Sequence, residues 1–165
     1  MILTARAPDA AAFAPFGAIL RPPTDVGGRW MFSEWLEPVP GLSPRYHLNR
    51  VAPSAVPVTV NRVEHHPHAA QLFIPMGVSR YLVTVMPSDD AGDPDPGRAV
   101  AFQFPGTLGV AYRTGAWHAG ITVLDTEASF AVLMWRGGET DDVFASIPPI
   151  TVRAAGSAAD RPAHG

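Results

Sequence analysis

From residue 46 onward the chain is a series of short runs of β-branched and aromatic residues separated by glycine, proline and aspartate. Such runs are too short for helices of ordinary length and are typical of strands joined by tight turns. We predict strands over residues 46–51, 56–64, 71–75, 80–86, 99–104, 108–112 and 128–135, with a last strand or short helix within 141–152. Many short strands in series favour a mainly β protein, a sandwich or a barrel.

The first forty residues are less regular. Residues 1–5 alternate weakly and predict an edge strand, residues 9–13 predict a short helix with Asp9 at its N-terminus, and residues 16–20 predict another strand. Residues 30–44 give no clear pattern. The length fits one domain, which we place at residues 1–153. Residues 154–165 have low complexity, and we expect a disordered tail there that removes His164 from the candidate site.

Composition excludes several classes of function. The formal net charge is −3, so the chain has no basic excess of the kind that binds nucleic acid. Cysteine is absent, and the strongly basic residues are all arginine, which excludes thiolate catalysis, Cys-ligated zinc and lysine Schiff bases. No apolar run is long enough for a membrane span, and no leader pattern begins the sequence. We expect a soluble, cytoplasmic protein with no nucleic-acid or membrane partner.

A histidine-rich stretch, VEHHPHAAQLFIPMG at residues 63–77, carries the first chemical signal. Because strand side chains alternate, Arg62, Glu64 and His66 fall on one face with the valines at 56, 58 and 60, and His65 falls on the other. A strand that is apolar at one end and ionisable at the other fits the mouth of a ligand-binding barrel. The competing interpretation is a solvated rim without function.

A second cluster ends at His118. Gly115 can form a tight turn that returns His118 to the sheet, while Tyr112 and Trp117 offer aromatic walls with a polar group. The alternative is a buried aromatic pair with a structural histidine. Sequence spacing does not show whether His66 and His118 meet.

Taken together, the ordered motifs resemble the ureidoglycolate lyase family, also called ureidoglycolate hydrolase. They are E-x-H-P-x-x-x-Q-x-F-x-P beginning at Glu64, G-V-x-Y beginning at Gly109, W-H at residues 117–118 and R-G-G beginning at Arg136. The resemblance implies a cupin-type β-barrel (a jelly-roll-like double-stranded β-helix) with one or two short helices. It also implies a homodimeric carbon–nitrogen lyase of the amidine-lyase type, which cleaves ureidoglycolate to glyoxylate and urea in allantoin and purine nitrogen catabolism.

Cupins commonly hold a metal through a His-x-His-x(3,4)-Glu motif and a later Gly-x-x-His. Here His66-x-His68-x-x-Gln71 approximates the first and Gly115-x-x-His118 fits the second, with Gln71 where a carboxylate is usual. The resemblance therefore implies a divalent metal, nickel in this family, held if it binds by His66, Gln71 and His118.

The resemblance also implies roles for the remaining candidates. Glu64 or His66 would act as base and His118 as acid, and Gln71, Phe73, Tyr112 and Trp117 would line the substrate pocket. The substrate carboxylate requires a planar cation, for which strand parity favours Arg62 over Arg50 and Arg113. Two alternatives remain: a non-catalytic cupin module that binds a small molecule, and another metal-dependent cupin enzyme acting on a small hydroxy or ureido acid.

Overall fold

A computed structural model describes residues 1–156, and strands are their main regular structure, with one short α-helix. The mainly β prediction is confirmed. In chain order the elements are β1 (Ile2–Thr4), α1 (Ala10–Phe13), β2 (Gly17–Leu20), β3 (Ser43–Val51), β4 (Val58–His65), β5 (Gln71–Met76), β6 (Arg80–Met86), β7 (Val100–Pro105), β8 (Gly109–Tyr112), β9 (Trp117–His118), β10 (Thr122–Leu124), β11 (Ala128–Arg136) and β12 (Val143–Arg153). Short 3₁₀ turns at Ser33–Trp35 and Pro96–Arg98 complete them.

The strands form two sheets. The five-stranded sheet has the order β2-β8-β5-β11-β3 and is antiparallel throughout. The seven-stranded sheet has the order β1-β12-β4-β9-β6-β10, and β7 also pairs with β6. A parallel bridge between Arg6 and Phe102 brings the chain after β1 against β7, so this sheet curls back on itself. Two sheets of this kind, antiparallel except for the β1–β12 pair and one of them curled, give the predicted cupin-type architecture.

The first core lies between the two sheets. Its buried side chains come from both of them: Phe73, Val110, Tyr112, Phe130 and Val132 from one sheet, and Tyr81, Val83, Val85, Phe102 and Phe104 from the other. Phe13 of α1 is fully buried against them, with its ring centroid 5.6 Å from that of Phe102 and 6.0 Å from that of Phe104. Asp9 caps α1 by accepting a hydrogen bond from the Ala12 amide, 2.7 Å away, as the sequence predicts.

A second core lies inside the curl of the seven-stranded sheet and includes Val60, Val63 and Trp117. Val60 and Val63 share this cluster although they are three positions apart, an odd spacing that puts strand residues on opposite faces, so the alternation of β4 slips by one residue between them. The partner strand β12 shifts register at the same level, between Ser146 and Ile150. The prediction that Val58 and Val60 share a face with Arg62 and Glu64 is therefore wrong, because an irregularity interrupts the period of two.

Other sequence predictions concern the ends of the chain and residues 30–44. Phe32, Trp35 and Leu36 pack on the outer face of the five-stranded sheet against Leu20 and Leu72. Ala154 is buried in the second core, while residues 157–165, including His164, lie outside the described residues. Among the described residues, no helix has the length and apolar character needed to cross a membrane.

Candidate active site

The candidate site lies at one end of the first core, where β4 and β9 of the curled sheet face β5 and β8 of the other sheet. Glu64 of β4 pairs directly with His118 of β9, and Gln71 of β5 pairs directly with Tyr112 of β8. Directly opposed residues of antiparallel strands share a face. Each of these pairs therefore presents two polar side chains to the space between the sheets.

His118 is 1% exposed and is oriented by its own strand and turn. Its Nδ1 lies 2.9 Å from the Ala116 carbonyl oxygen, which can only accept, so Nδ1 carries the hydrogen and Nε2 faces the site. The turn before it contains Gly115 at φ +76°, and the Gly115 amide donates to the His66 carbonyl oxygen at 2.8 Å. The predicted tight turn is therefore present, and it ties the two histidine segments together.

Glu64 and Tyr112 surround the inner edge of His118. The Glu64 carboxylate lies 3.6 Å from Nε2, and its interaction with His118 lowers the pKa of the Glu64 carboxyl, although partial burial opposes this shift. The Tyr112 ring stacks on the imidazole with centroids 3.9 Å apart and an interplanar angle of 12°. Burial raises the pKa of Tyr112 well above its ordinary value. Among residues 1–156, neither the Tyr112 hydroxyl nor Nε2 of His118 has a hydrogen-bond partner.

His66 is 3% exposed, and acceptors contact both of its ring nitrogens. Nδ1 lies 3.1 Å from the Asp141 carbonyl oxygen and 2.9 Å from Oδ1 of Asp142, while Nε2 lies 3.0 Å from Oε1 of Gln71. The Gln71 amide nitrogen donates to the Met134 sulfur at 3.5 Å, which supports this orientation of the amide. With Nδ1–H held by the carbonyl, Nε2 of His66 is the ring nitrogen that faces Gln71 and the space shared with Glu64 and His118.

These side chains fit a metal ion. One ligand atom each from Glu64, His66 and His118 lies within 4.8 Å of the other two, and the unpartnered Nε2 of His118 points into the space between them. Two imidazoles and a carboxylate suit a divalent transition metal. Oε1 of Gln71, next to His66, is a further oxygen at the same place.

A charged loop closes the site beside His66. Arg136, the last residue of β11, binds both carboxylate oxygens of Asp142, with one Nη1 to Oδ1 distance of 2.9 Å. This arginine lowers the pKa of the Asp142 carboxyl below its ordinary value. The Asp141 carboxylate accepts from the amides of Gly137 and Gly138, 2.9 and 3.0 Å away. The loop is therefore tied to the strand end by charge and by backbone hydrogen bonds.

Other predicted site residues lie elsewhere. Trp117 is adjacent to His118 on β9, so it faces the second core, where its indole donates to the Gly92 carbonyl and its ring lies 4.2 Å from that of His65. Phe73 lies in the first core and makes edge contacts with Tyr112 and Phe130. The structure does not bring Trp117 to the imidazole of His118.

The candidate arginines differ in what they contact. Arg62 is exposed, lies 4.0 Å from the centroid of the Phe144 ring, and borders with Glu64 a cavity of about 260 Å³. Arg50 pairs with Glu127, and Arg113 donates to the Ala14 carbonyl. Of the three, only Arg62 borders a cavity together with Glu64.

Sequence reasoning missed two residues. Asp142 contacts His66 across 76 positions, a pairing that no spacing rule predicts. Arg45 of β3 pairs with Met134, which pairs with Gln71, so Arg45 stands in the same row and on the same face as Gln71. Arg45 is exposed. Predicting its place in this row requires the order of the strands in the sheet, which the sequence does not show.

Comparison with known proteins gives a consistent result. A family model described as ureidoglycolate lyase matches residues 1–152. A ureidoglycolate lyase of Burkholderia mallei is 33% identical over 78% of this chain and 79% of its own length, and one of Chelativorans is 34% identical over 80% and 83%. One of Burkholderia cepacia is 41% identical over 59% of this chain, a match that covers 54% of that relative.

Solved structures give only partial matches. The RmlC protein of Streptococcus suis, in complex with dTDP-D-xylose, matches 58% of this chain and 45% of its own, with a TM-score of 0.43 and 10% identity. The dTDP-4-dehydrorhamnose 3,5-epimerase of Elizabethkingia anophelis matches 62% and 55%, with a TM-score of 0.44 and 13% identity.

Proposed function

Because the chain belongs to the ureidoglycolate lyase family, we propose that it is an enzyme that cleaves ureidoglycolate to glyoxylate and urea. The observation that carries the proposal is the meeting of Glu64, His66 and His118 at the end of the first core. The reaction needs a base and an acid on opposite sides of one carbon atom, and these three side chains converge from two segments of the chain about fifty positions apart.

The chemistry follows from the substrate. The carbon that becomes the aldehyde of glyoxylate carries a hydroxyl and the ureido nitrogen. Removing the hydroxyl proton lets the oxygen form the carbonyl bond while the carbon–nitrogen bond breaks, and the departing urea nitrogen takes up a proton. Acid and base groups each contribute roughly 10²–10⁴-fold in such reactions when they lie within hydrogen-bond reach.

Glu64 suits the role of base. Its carboxylate lies beside Nε2 of His118 and faces the space between the sheets. His118 suits the role of acid, because its Nε2 lies beside Glu64 and its Nδ1–H is held by the backbone. Tyr112 and Gln71 then contact the substrate from the opposite sheet, and Phe73 supports the ring of Tyr112 from the first core.

The substrate carboxylate needs a cation at the rim. Arg62 borders the cavity beside Glu64 from one side, and Arg45 stands in the row of Gln71 and Tyr112 on the other. Strands are ~4.8 Å apart, so Arg45 is two strands, or about 10 Å, from Gln71 at the backbone. An extended arginine covers most of that distance and leaves room for a carboxylate.

We further propose that the site holds a divalent metal, nickel by family resemblance, with Glu64, His66 and His118 as ligands and Gln71 as a further oxygen donor. When bound, the metal would supply a Lewis acid for the substrate oxygens, and Glu64 and His118 would then serve as its ligands in place of the base and acid roles given above. The measurement is metal analysis of protein purified without chelator or histidine tag, followed by titration of metal into the wild type and His118→Ala. Equal weak uptake by both proteins would reject the metal site.

The direct test of function is release of glyoxylate and urea from ureidoglycolate. We expect wild type to release both in equal amounts and Glu64→Gln and His118→Ala to lose most of kcat. Arg80→Gln is a suitable control, since Arg80 pairs with Asp125 away from the site. No product from folded wild type rejects the proposed substrate, and near-normal rates in both site variants reject the assigned roles.

The resemblance also supports a homodimer. The outer face of the five-stranded sheet presents Tyr46, Leu48, Ile74 and Met76, all of them more than 40% exposed. A cavity of about 550 Å³ with apolar walls, bordered by Trp30, Leu72 and Leu133, opens on the same face. We propose that a second copy of the chain covers it, a state that sedimentation measures directly, and that the enzyme works in the cytoplasm in allantoin degradation.

A further inference from the structure

We infer that Asp142, held by Arg136, is a positioning residue that fixes the imidazole of His66 for the proposed reaction. The inference rests on the proposed function only for its activity readout. The contact itself is long-range: Oδ1 of Asp142 lies 2.9 Å from Nδ1 of His66, and the side chains are 25% and 4% exposed. A carboxylate is one of the groups that commonly accept from the second ring nitrogen of a functional histidine and so fix its orientation.

The ring has one orientation because the loop offers two acceptors to the same nitrogen. The Asp141 carbonyl accepts from Nδ1 at 3.1 Å, and the Asp142 carboxylate lies beside it. Both atoms are acceptors, so Nδ1 must carry the hydrogen. The opposite nitrogen, Nε2, is then the one presented to Gln71 and to the space shared with Glu64 and His118.

Asp142 is itself fixed from the other side. Arg136 binds its two carboxylate oxygens, a fork geometry that sets the plane of the carboxylate as well as its position. The Arg136 Nη1 also contacts the Met134 sulfur at 3.4 Å, and Met134 accepts from Gln71. A closed chain of contacts therefore runs from Arg136 through Asp142 and His66 to Gln71 and back through Met134.

The hydrogen bonds that hold the loop in place are made by Asp141, not by Asp142. The Asp141 carboxylate holds the turn by accepting from the amides of Gly137 and Gly138, and it makes no contact with the His66 ring. Removing the Asp142 carboxylate leaves those two hydrogen bonds in place. The expected damage is therefore to the ring of His66 and not to the path of the loop.

The experiment compares Asp142→Asn with Asp125→Asn. Asp125 makes the same two-oxygen contact with an arginine, Arg80, at 2.8 and 2.9 Å, but away from the site. Both substitutions weaken one such ion pair. We expect Asp142→Asn to lower kcat by about 10–100-fold with little change in KM, as for other partners of functional histidines, and Asp125→Asn to keep both constants. Arg136→Gln should reproduce the loss, and the double variant should lose no more than either single one.

A second readout does not need the activity. Long-range ¹H–¹⁵N spectra of the histidine rings, assigned with His66→Gln, report which nitrogen carries the hydrogen and how strongly it is bonded. We expect a single Nδ1–H form in wild type and in Asp125→Asn, and an upfield-shifted or exchanging signal in Asp142→Asn. Inactive wild type with this spectral difference would reject the proposed function and keep the inference. An unchanged His66 signal, or kcat equal to that of Asp125→Asn, would overturn the inference.

Discussion

Tyr112→Phe is the substitution whose consequence the structure defines most sharply. Tyr112 is 1% exposed, and within the described part of the chain its hydroxyl has no hydrogen-bond partner. A buried hydroxyl without a partner costs about 1–3 kcal/mol of stability. Phenylalanine removes the oxygen but keeps the ring that stacks on His118. We therefore expect the free energy of unfolding to rise by about 1 kcal/mol, because the small void left behind offsets part of the gain.

Tyr81→Phe is a matched control for which we expect the free energy of unfolding to fall. Tyr81 is fully buried in the same core, but its hydroxyl donates to the Leu108 carbonyl oxygen at 2.6 Å. The substitution removes the donor to that partly buried carbonyl, which costs about 1–3 kcal/mol. The two variants should therefore differ by roughly 2–4 kcal/mol although the chemical change is the same.

Urea unfolding at neutral pH measures the difference, provided that the slope with denaturant is unchanged. A chain of this size shifts its melting temperature by about 2–4 °C per kcal/mol, so thermal unfolding should show the two variants on opposite sides of wild type. If the proposed substrate is the partner of this hydroxyl, Tyr112→Phe should also lower kcat/KM by about 2–10-fold. Equal destabilisation by both substitutions would refute the assignment of a free hydroxyl to the site.

Two further predictions concern charge. If Arg45 or Arg62 holds the substrate carboxylate, its replacement by Gln should raise KM by about 10–100-fold, the loss of a hydrogen bond between charged groups; unchanged KM in both variants would show that another group holds it. The lowered pKa of Asp142 means that its pair with Arg136 stabilises the fold at neutral pH, and that this contribution is lost as the pH falls below about 4. Urea unfolding at several pH values measures this. Between about pH 5 and pH 3, the free energy of unfolding of Asp142→Asn should fall less than that of wild type, and an equal fall in both proteins would contradict this sign.

Most of the longer strands were predictable because the residues within each strand and the turn residues beside it determine it. Residues 80–86 and 128–135 alternate or are continuously apolar between turn residues, and the structure places β6 and β11 within one residue of the predicted ends. Strands β9 and β10 were not predicted, since runs of two and three residues carry no pattern. They exist because neighbouring strands pair with them.

The slip in β4 could not be predicted from the sequence of β4 alone. The alternation of β4 changes face between Val60 and Val63 because β12 shifts its register opposite, in a stretch that contains Pro148 and Pro149. Proline cannot donate to the ladder and commonly marks such irregularities. Arg62 and Glu64 nevertheless border the same cavity, so the parity argument that selected them fails only at the valines before them.

The site depends on which strands are neighbours, and this determines what the sequence can and cannot show about it. Glu64, His66 and His118 stand out by residue type and by resemblance. Asp142 does not, because two adjacent aspartates after a glycine turn are ordinary loop residues until β12 pairs with β4 and carries the loop beside His66. The same pairing puts Trp117 and His118, consecutive in sequence, into two different cores. Contacts made across strands, more than motifs along them, therefore separate the residues that line the candidate site from those that only support the fold.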